Sequence, residues 1–222
     1  MKAMILAAGR GERMLPLTKN SPKPLLLVHG IPLIEHRIIA LKRAGIWDIV
    51  INVHYLGEQI VAYLGDGQRL GVAIKYSKEP DLLETAGGIR NALPLLGTAP
   101  FLVVPADTMM DMDFSELKVL PRGSEAHLVM VDNPQHNPNG DYAIEADGKL
   151  SLVGTKLTYS SVALFSPRYF SALDAGPHLL RDLFQESIGK KQISGEYFNG
   201  SWVDIGTPKR LKEFNDYSRA GS

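Results

Sequence analysis

In the first half of the chain, short apolar runs alternate with longer amphipathic stretches. The apolar runs are typical of buried parallel strands, and they lie at residues 4–7, 48–53, 72–76 and 101–104. The amphipathic stretches predict helices from about residue 32 to 45, from 57 to 64 and from 85 to 96. Thr85 is the expected N-cap of the last helix. This alternation predicts right-handed βαβ units on a parallel sheet.

In the second half, strands are expected to follow one another without helices between them. Their predicted ranges are 126–131, 142–145, 149–153 and 157–165, with turns rich in asparagine and proline between residues 133 and 140. A helix is predicted near 179–188, strands near 196–198 and 201–205, and a closing helix from Thr207. The whole pattern predicts an α/β chain, with a Rossmann-like first half to which a mixed sheet is added.

Composition excludes several classes of function. The 222 residues include 24 lysines and arginines and 24 aspartates and glutamates, so there is no bulk basic field for nucleic acid or anionic lipid. The chain has no cysteine, which rules out disulfides, thiolate metal sites and a cysteine nucleophile. No apolar run approaches the roughly 20 residues of a membrane span, and the N-terminus lacks a signal-peptide pattern. We therefore expect one cytoplasmic domain over residues 1–222, without a nucleic-acid or membrane partner.

A glycine-rich loop follows the first predicted strand, at the edge where open α/β sheets bind ligands. Gly9 and Gly11 allow backbone N–H groups to approach a phosphate, Arg13 offers a bidentate guanidinium, and Lys23 is a point charge between two prolines. A dinucleotide fingerprint would need a third glycine where Met14 stands, and no GxxxxGK[ST] motif occurs. Taken alone, such a loop is more often a glycine-rich turn with solvated charges than a phosphate site.

Taken as a whole, the string from Leu6 to Thr18 and the following Ser-Pro-Lys-Pro-Leu resemble the G-x-G-x-R…P-K signature of the sugar-1-phosphate nucleotidyltransferases. The likeness extends to Pro32-Leu33-Ile34, Leu83 to Gly88, an aspartate that ends the fourth strand, and Trp202 to Thr207. It covers essentially the whole chain. The resemblance implies a Rossmann-like nucleotidyltransferase fold with a mixed, mostly parallel central sheet flanked by helices. It also implies a nucleotide-binding half of about 1–110 and a sugar-binding half of about 111–222.

The resemblance further implies a set of nucleotide contacts. These positions are Ala8, Gly9, Gly11, Glu12, Arg13, Lys23, Glu79, Thr85, Gly87 and Asp107. Arg13 and Lys23 would be the catalytic residues, with Arg13 on the β and γ phosphates and Lys23 toward the α-phosphate. The segment 79–88 would bind the base, since its two glycines let the backbone approach a flat ring. Without the resemblance, this segment is simply a helix N-terminus.

Two aspartates end predicted strands, and both would lie at the carboxyl ends of strands in one crevice. Taken alone, Asp107 and Asp204 are more often caps or turn residues at such boundaries. Two carboxylates with phosphate oxygens and waters also form a suitable octahedral set for Mg²⁺. The resemblance implies that Asp107 and Asp204 are the Mg²⁺ ligands. Asp111 and Asp113 are expected to be structural, with Asp113 as the cap of a short helix.

The turn at residues 139–142 resembles the sugar-contacting turn of the family. It implies substrate contacts by Gly140 and Asp141, and Lys156 is a weaker candidate near the sugar phosphate. The chain departs from the family pattern in two places. Pro105-Ala106 stands where Asn-Gly often precedes the metal aspartate, and Ser161 stands where glycine is frequent. We expect these departures to affect the choice of sugar and the rate rather than the fold.

No histidine or serine pattern indicates acid–base or nucleophilic catalysis. The six histidines show no ligand spacing, and no G-x-S-x-G elbow occurs. Nucleotidyl transfer requires neither, because the attacking sugar phosphate is largely ionised at pH 7 and catalysis depends on positioning and electrostatics. The implied reaction is attack of a sugar-1-phosphate on the α-phosphorus of a nucleoside triphosphate, with release of pyrophosphate.

The family members that this chain resembles most use UTP and N-acetylmuramate 1-phosphate in cell-wall recycling. That likeness rests on Leu-Glu-Thr-x-Gly-Gly-Ile and on Ser194-Gly195-Glu196 ahead of the final Trp-Val-Asp. Three alternatives stay open at this point. They are a mannose- or glucose-1-phosphate nucleotidyltransferase using GTP or dTTP, a catalytically silent protein that binds nucleotide sugars, and a glycosyltransferase. The sequence leaves the oligomeric state open.

Overall fold

One seven-stranded sheet runs through both halves of the chain. The computed structural model describes residues 1–217. Its strands are β1 (Lys2–Leu6), β2 (Leu27–Val28), β3 (Ile31–Pro32), β4 (Asp48–Val53), β5 (Ala73–Lys78), β6 (Phe101–Pro105), β7 (Thr108–Met110), β8 (Ala126–Val131), β9 (Ala143–Ile144), β10 (Leu150–Ser151), β11 (Thr158–Phe165), β12 (Ile193–Tyr197) and β13 (Trp202–Asp204). Its helices are α1 (Leu33–Arg43), α2 (Gly57–Leu64), α3 (Glu84–Leu96), α4 (Arg168–Ser171), α5 (Leu180–Gly189) and α6 (Pro208–Tyr217).

The central sheet is mixed but mostly parallel, in the order β12-β8-β11-β6-β1-β4-β5. β1 lies between β4 and β6 and is parallel to both, and β4 is parallel to β5. β11 is antiparallel to its two neighbours, β6 and β8, whereas β12 is parallel to β8. The predicted α/β fold, with a mostly parallel central sheet flanked by helices, is confirmed.

Helices cover both faces of the sheet because its central strands are apolar on both sides. Ile5 of β1 points into the core that α1 and α2 cover, and the adjacent Met4 points into the opposite core. Ile34, Ile38 and Leu41 of α1 are fully buried, as their helical spacing predicts. The opposite core is covered by α3, α4 and α5.

Several element boundaries differ from the prediction because neighbouring strands decide where pairing begins and ends. β12 begins at Ile193 rather than near residue 196, since Ile193 already pairs with Ala126 of β8. The predicted strands 142–145 and 149–153 are shorter in the structure, where β9 and β10 contain two residues each and pair with each other. Tyr142 forms a bridge to Leu157 instead of continuing that pair. Within residues 1–217, no helix combines the length and apolar character needed to cross a membrane.

A small antiparallel pair beside the main sheet joins two segments that are distant in sequence. β7 pairs with β13, which sets Asp204 directly opposite Thr108. The backbone N–H of Ile205 then donates to the carbonyl of Asp107, at 2.9 Å. Both candidate metal aspartates are therefore held next to each other by the backbone, at the carboxyl end of β6.

Candidate functional site

A cleft of about 820 Å³ opens at the carboxyl ends of the parallel strands. This is the position at which open α/β sheets bind ligands. Most of the residues predicted to bind nucleotide line this cleft together, and the predicted sugar contact Asp141 lines it as well. They are Ala8, Gly9, Gly11, Glu12, Arg13, Lys23, Glu79, Thr85, Asp107 and Asp141. Four other predicted site residues, namely Gly87, Gly140, Lys156 and Asp204, are not part of the lining.

The loop after β1 is closed by its own backbone and by one threonine. Gly11 has a φ of +64°, a left-handed conformation that favours glycine. Its carbonyl accepts hydrogen bonds from the Met14 N–H at 2.9 Å and from the Thr18 hydroxyl at 2.9 Å. A Cβ at position 11 would lie 3.0 Å from Cγ2 of Thr18 and 3.1 Å from Cβ of Lys23. The glycine is therefore required both by the backbone angle and by close packing.

Lys23 connects this loop to the end of β6. Its side chain is only 11% exposed, and its ammonium group forms an ion pair with the carboxylate of Asp107. Arg13, in contrast, is exposed on the cleft lining. In this loop the lysine is therefore fixed by a carboxylate, whereas the guanidinium of Arg13 is free to move toward a ligand.

Asp204 is engaged by a cation of its own. Its Oδ2 accepts a hydrogen bond from Nη1 of Arg210 at 2.8 Å, and Nε2 of His136 lies 3.6 Å away. A Cβ at position 206 would come within 3.0 Å of both carboxylate oxygens of Asp204 and within 2.6 Å of Arg210. Gly206 therefore leaves room for this pair at the edge of the cleft.

The donor set formed by Asp107 and Asp204 suits a hard cation. Among residues 1–217 no group of three or more histidines, cysteines, aspartates or glutamates could hold a metal. Mg²⁺ rarely uses such a cage, because it binds through one or two carboxylates together with substrate phosphates and water. Two aspartates on neighbouring backbone segments, each paired with a lysine or an arginine, supply the carboxylates that this mode of binding uses.

A buried hydrogen-bond chain links the phosphate loop to the segment after β5. The side-chain oxygen of Asn52 accepts from the Ala7 N–H at 2.9 Å, and its amide donates to Glu79 at 2.8 Å. The other carboxylate oxygen of Glu79 accepts from the Leu83 N–H at 3.3 Å. Burial raises the pKa of Glu79, although these hydrogen bonds oppose the rise. Asn52 was not predicted, and its only signal in the sequence is an amide within an apolar strand.

The start of α3 differs from the prediction. α3 begins at Glu84, and no side chain caps it, so the prediction that Thr85 is the N-cap is wrong. The cap is instead the carbonyl of His178, which accepts from the N–H groups of Ala86 and Gly87. A Cβ at position 87 would lie 2.2 Å from the carbonyl oxygen of Gly176. Gly87 therefore packs against this neighbouring loop, away from the cleft, while Thr85 lines the cleft.

The side of the cleft where the sugar is predicted to bind is lined by Asp141, aromatic residues and the start of α5. One oxygen of Asp141 accepts from the Tyr159 N–H at 2.8 Å, and the other accepts from the amide of Asn137 at 3.2 Å. Gly140 has a φ of +62°, and a Cβ there would lie 2.8 Å from the backbone of Lys156. Gly140 and Lys156 thus lie behind Asp141, outside the lining.

Ser161 lies in the cleft in a strained conformation. Its φ is +67°, within a bulge of β11 where pairing with β8 shifts between Tyr159 and Ala163. Non-glycine residues seldom adopt this region. This geometry gives the physical reason why glycine would be frequent at such a position.

Arg37 of α1 is a buried charge directly behind the site. It is 1% exposed, and within the described chain its Nε and Nη1 have no hydrogen-bond partner. Burial lowers the pKa of Arg37 to about 10, against the opposing attraction of Asp107. Its guanidinium lies 5.8 Å from the ring centre of Phe114, whose short helix is capped by Asp113 as predicted.

The histidines stay outside the cleft lining. His127 is buried, and its Nδ1 is hydrogen-bonded to the hydroxyl of Ser194 at 2.8 Å. Nε2 of His36 lies 3.0 Å from the carbonyl oxygen of Val28. His136 approaches Asp204, as described above. Their contacts agree with the prediction of packing and surface roles.

Comparison with known proteins identifies the family. The family model described as Nucleotidyl transferase matches residues 2–153. An N-acetylmuramate alpha-1-phosphate uridylyltransferase of Neisseria meningitidis serogroup B is 48% identical over 96% of this chain and 96% of its own length. A mannose-1-phosphate guanyltransferase of Hypocrea jecorina is 31% identical over 94% of this chain, which spans 62% of that protein.

Solved structures agree on the fold. HddC from Yersinia pseudotuberculosis, in complex with GMP-PN, superposes with a TM-score of 0.82 at 19% identity, covering 98% of this chain and 99% of that one. At this level of identity, the similarity establishes the architecture alone. Since the family model covers more than half of the residues and the Neisseria relative nearly all of them, the chain belongs to the nucleotidyl transferase family.

Proposed function

We propose that the chain transfers a uridylyl group from UTP to N-acetylmuramate 1-phosphate and releases pyrophosphate. The observation that carries this proposal is the 48% identity to the Neisseria uridylyltransferase over 96% of both chains. UTP is a cytoplasmic substrate and muramate a sugar of the bacterial cell wall. We therefore assign the activity to the cytoplasm and to the recycling of cell-wall sugars.

The chemistry needs no base from the protein. An oxygen of the sugar phosphate attacks the α-phosphorus of UTP, a new P–O bond forms, and the bond to the β-phosphate breaks with pyrophosphate as the leaving group. The attacking phosphate has a second pKa of about 6, so it is already ionised at pH 7. A cleft without histidine is therefore sufficient, provided that it brings the two anions together.

The phosphate loop supplies the positive field for this encounter. The exposed guanidinium of Arg13 and the backbone of Gly9 to Arg13 would hold the β and γ phosphates. Lys23 would act on the α-phosphate, where charge builds up in the transition state, since its ion pair with Asp107 fixes it at that point of the cleft. Ala8, Glu12, Glu79 and Thr85 complete the nucleotide side of the lining.

Asp107 and Asp204 would hold Mg²⁺. When bound, this ion would polarise the α-phosphate and offset the charge of the reacting phosphates. The β7–β13 pair keeps the backbone of Asp204 next to that of Thr108, which directly follows Asp107. Lys23 forms an ion pair with Asp107, and Arg210 forms one with Asp204.

The sugar would bind against Asp141, whose free lone pairs can accept hydrogen bonds from hydroxyl groups. Gly140 and Lys156 would support this contact from behind, because they fix the turn that carries Asp141. Gly87 would have an equivalent supporting role under the base, through its packing on the 176–178 loop.

A substrate panel tests the proposal. UTP, dTTP, GTP, CTP and ATP are each combined with N-acetylmuramate, N-acetylglucosamine, glucose and mannose 1-phosphates, and released pyrophosphate is measured with Mg²⁺ and with EDTA. We expect the highest kcat/KM for UTP with N-acetylmuramate 1-phosphate, and an Arg13→Gln variant should raise the KM for UTP. A preference for GTP with mannose 1-phosphate would favour the activity named for the Hypocrea relative. No turnover with any pair would favour a silent binder.

A further inference from the structure

Arg181 is the one cationic side chain on the sugar side of the cleft within residues 1–217. The lining contains three other cations, Arg10, Arg13 and Lys23, and all of them belong to the phosphate loop after β1. Arg181 comes from the first turn of α5, together with Leu180. The sugar side therefore carries a positive charge that the triphosphate does not require.

Helix stability does not account for this charge. The N-terminal end of a helix carries a partial positive charge, so a cation in the first turn is unfavourable and an anion is preferred. α5 has no side-chain cap, and its first turn already contains the preferred anion, Asp182. Arg181 thus stands at a position where its charge works slightly against the helix.

The guanidinium of Arg181 is available to a ligand. Its side chain is 72% exposed, and its ion partner is the adjacent Asp182, at 3.8 Å from Nε to Oδ1. This separation is too long for a hydrogen bond. In the described part of the chain, the five N–H donors of Arg181 make no side-chain hydrogen bond. The guanidinium can therefore turn one edge toward the cleft.

The surroundings of Arg181 place it at the rim of an aromatic wall. Phe184, three residues later on the same face of α5, packs edge-on against Tyr142 at 6.0 Å and Tyr159 at 5.4 Å. The charge of Arg181 also acts on the Tyr142 hydroxyl, whose pKa burial raises to about 12. Tyr142 directly follows Asp141. A sugar that contacts Asp141 would therefore direct a neighbouring substituent toward Arg181.

We propose that Arg181 binds a carboxylate carried by the sugar and so selects carboxylated sugar 1-phosphates over neutral ones. This inference rests on the proposed function, because N-acetylmuramate differs from N-acetylglucosamine by a lactyl ether that ends in a carboxylate. The guanidinium of an arginine can bind both oxygens of a carboxylate through two parallel hydrogen bonds. A hydroxyl group has a single oxygen and cannot be bound in this way. Asp141 would bind the hydroxyl groups, and Arg181 would recognise the acid.

The test compares two sugars that differ only in this group. Steady-state kinetics with UTP are measured for the wild type, Arg181→Gln and Arg181→Lys, with N-acetylmuramate 1-phosphate and with N-acetylglucosamine 1-phosphate as substrate or competitive inhibitor. Arg168→Gln, at an exposed arginine of α4 outside the cleft lining, is the matched control. We expect Arg181→Gln to raise the KM for N-acetylmuramate 1-phosphate about tenfold, equivalent to about 1.4 kcal/mol. The KM for UTP and the KM or inhibition constant of the neutral sugar should stay within about twofold.

The other outcomes distinguish a wrong role for Arg181 from a wrong substrate. Arg181→Lys should recover part of the loss, because it keeps the charge without the fork. An equal loss for both sugars would show that Arg181 binds the common phosphate, and no loss for either would remove it from substrate binding. Each of these results would overturn the inference while the wild type still uses N-acetylmuramate 1-phosphate. A wild type that does not use this sugar would overturn the proposed function as well.

Discussion

Replacing Arg37 by methionine removes a positive charge that the fold keeps away from water. Arg37 is 1% exposed, and two of its guanidinium nitrogens have no partner within residues 1–217. Methionine is unbranched and adapts to irregular gaps in a core. The substitution therefore keeps most of the packing of α1 while it removes the buried charge and its unmet hydrogen bonds.

The size of the effect follows from the lowered pKa. Burial brings the pKa of Arg37 from an ordinary 12.5 to about 10, which corresponds to about 3 kcal/mol at 1.36 kcal/mol per pKa unit. Loss of the contact with Phe114, at 5.8 Å, would offset about 1 kcal/mol of this. We expect Arg37→Met to raise the free energy of unfolding by about 2 kcal/mol, and the melting temperature by about 4–8 °C.

Urea unfolding at pH 8 measures this change. Arg37 is protonated in both the folded and the unfolded state at that pH, so the full cost of burying the charge is present. The wild type would regain stability relative to the variant only above about pH 10, where the folded guanidinium begins to lose its proton first. Arg43→Met, at an exposed position of the same helix, is the control and should stay within about 0.5 kcal/mol. A loss of stability confined to Arg37→Met would refute the reasoning, because it would mean that buried waters satisfy the guanidinium.

Three further predictions concern the cleft and the turn behind Asp141. Lys23→Ala should lower kcat by about 10²–10³, because its charge is needed most in the transition state, whereas a raised KM at unchanged kcat would assign it to ground-state binding. Asp107→Ala and Asp204→Ala should each nearly abolish turnover, and the double variant should be little worse than either single variant. If the losses in the rate of pyrophosphate release were additive, the two aspartates would not act as one metal-binding unit. Gly140→Ala should lower the free energy of unfolding by about 2 kcal/mol or more, since φ is +62° and the new Cβ would lie 2.8 Å from backbone atoms. Equal melting temperatures for this variant and the wild type would contradict that strain.

Uniform burial made the central strands and α1 predictable from the sequence. Every residue of β6 and β8 is buried, so a continuous apolar run describes them without ambiguity. The second half was harder to predict, because its short strands depend on their partners. β9 and β10 each contain two residues, and the sequence around them alternates no more clearly than the flanking turns do.

The polar network of the site could not be predicted, because it depends on which strands become neighbours. Asn52 reaches both Ala7 and Glu79 only because β4 lies between β1 and β5. The burial of Arg37 could not be predicted either, since the sequence shows only a charged residue on the apolar face of α1. Motif resemblance supplied the residues that we propose to contact substrates, whereas the residues that hold them in place required the three-dimensional order of the sheet.

Ser161 illustrates how such support can maintain a locally unfavourable conformation. A serine in the left-handed region costs about 1 kcal/mol relative to ordinary backbone, so the surroundings must hold it there. The hydroxyl of the preceding Ser160 donates to the carbonyl of Val129 at 2.8 Å, and the indole of Trp202 donates to the carbonyl of Ser160 at 3.2 Å. The bulge is thus anchored by β8 on one side and β13 on the other. Because β13 also carries Asp204, the same strand that positions a proposed metal ligand fixes the backbone on the proposed sugar side of the cleft.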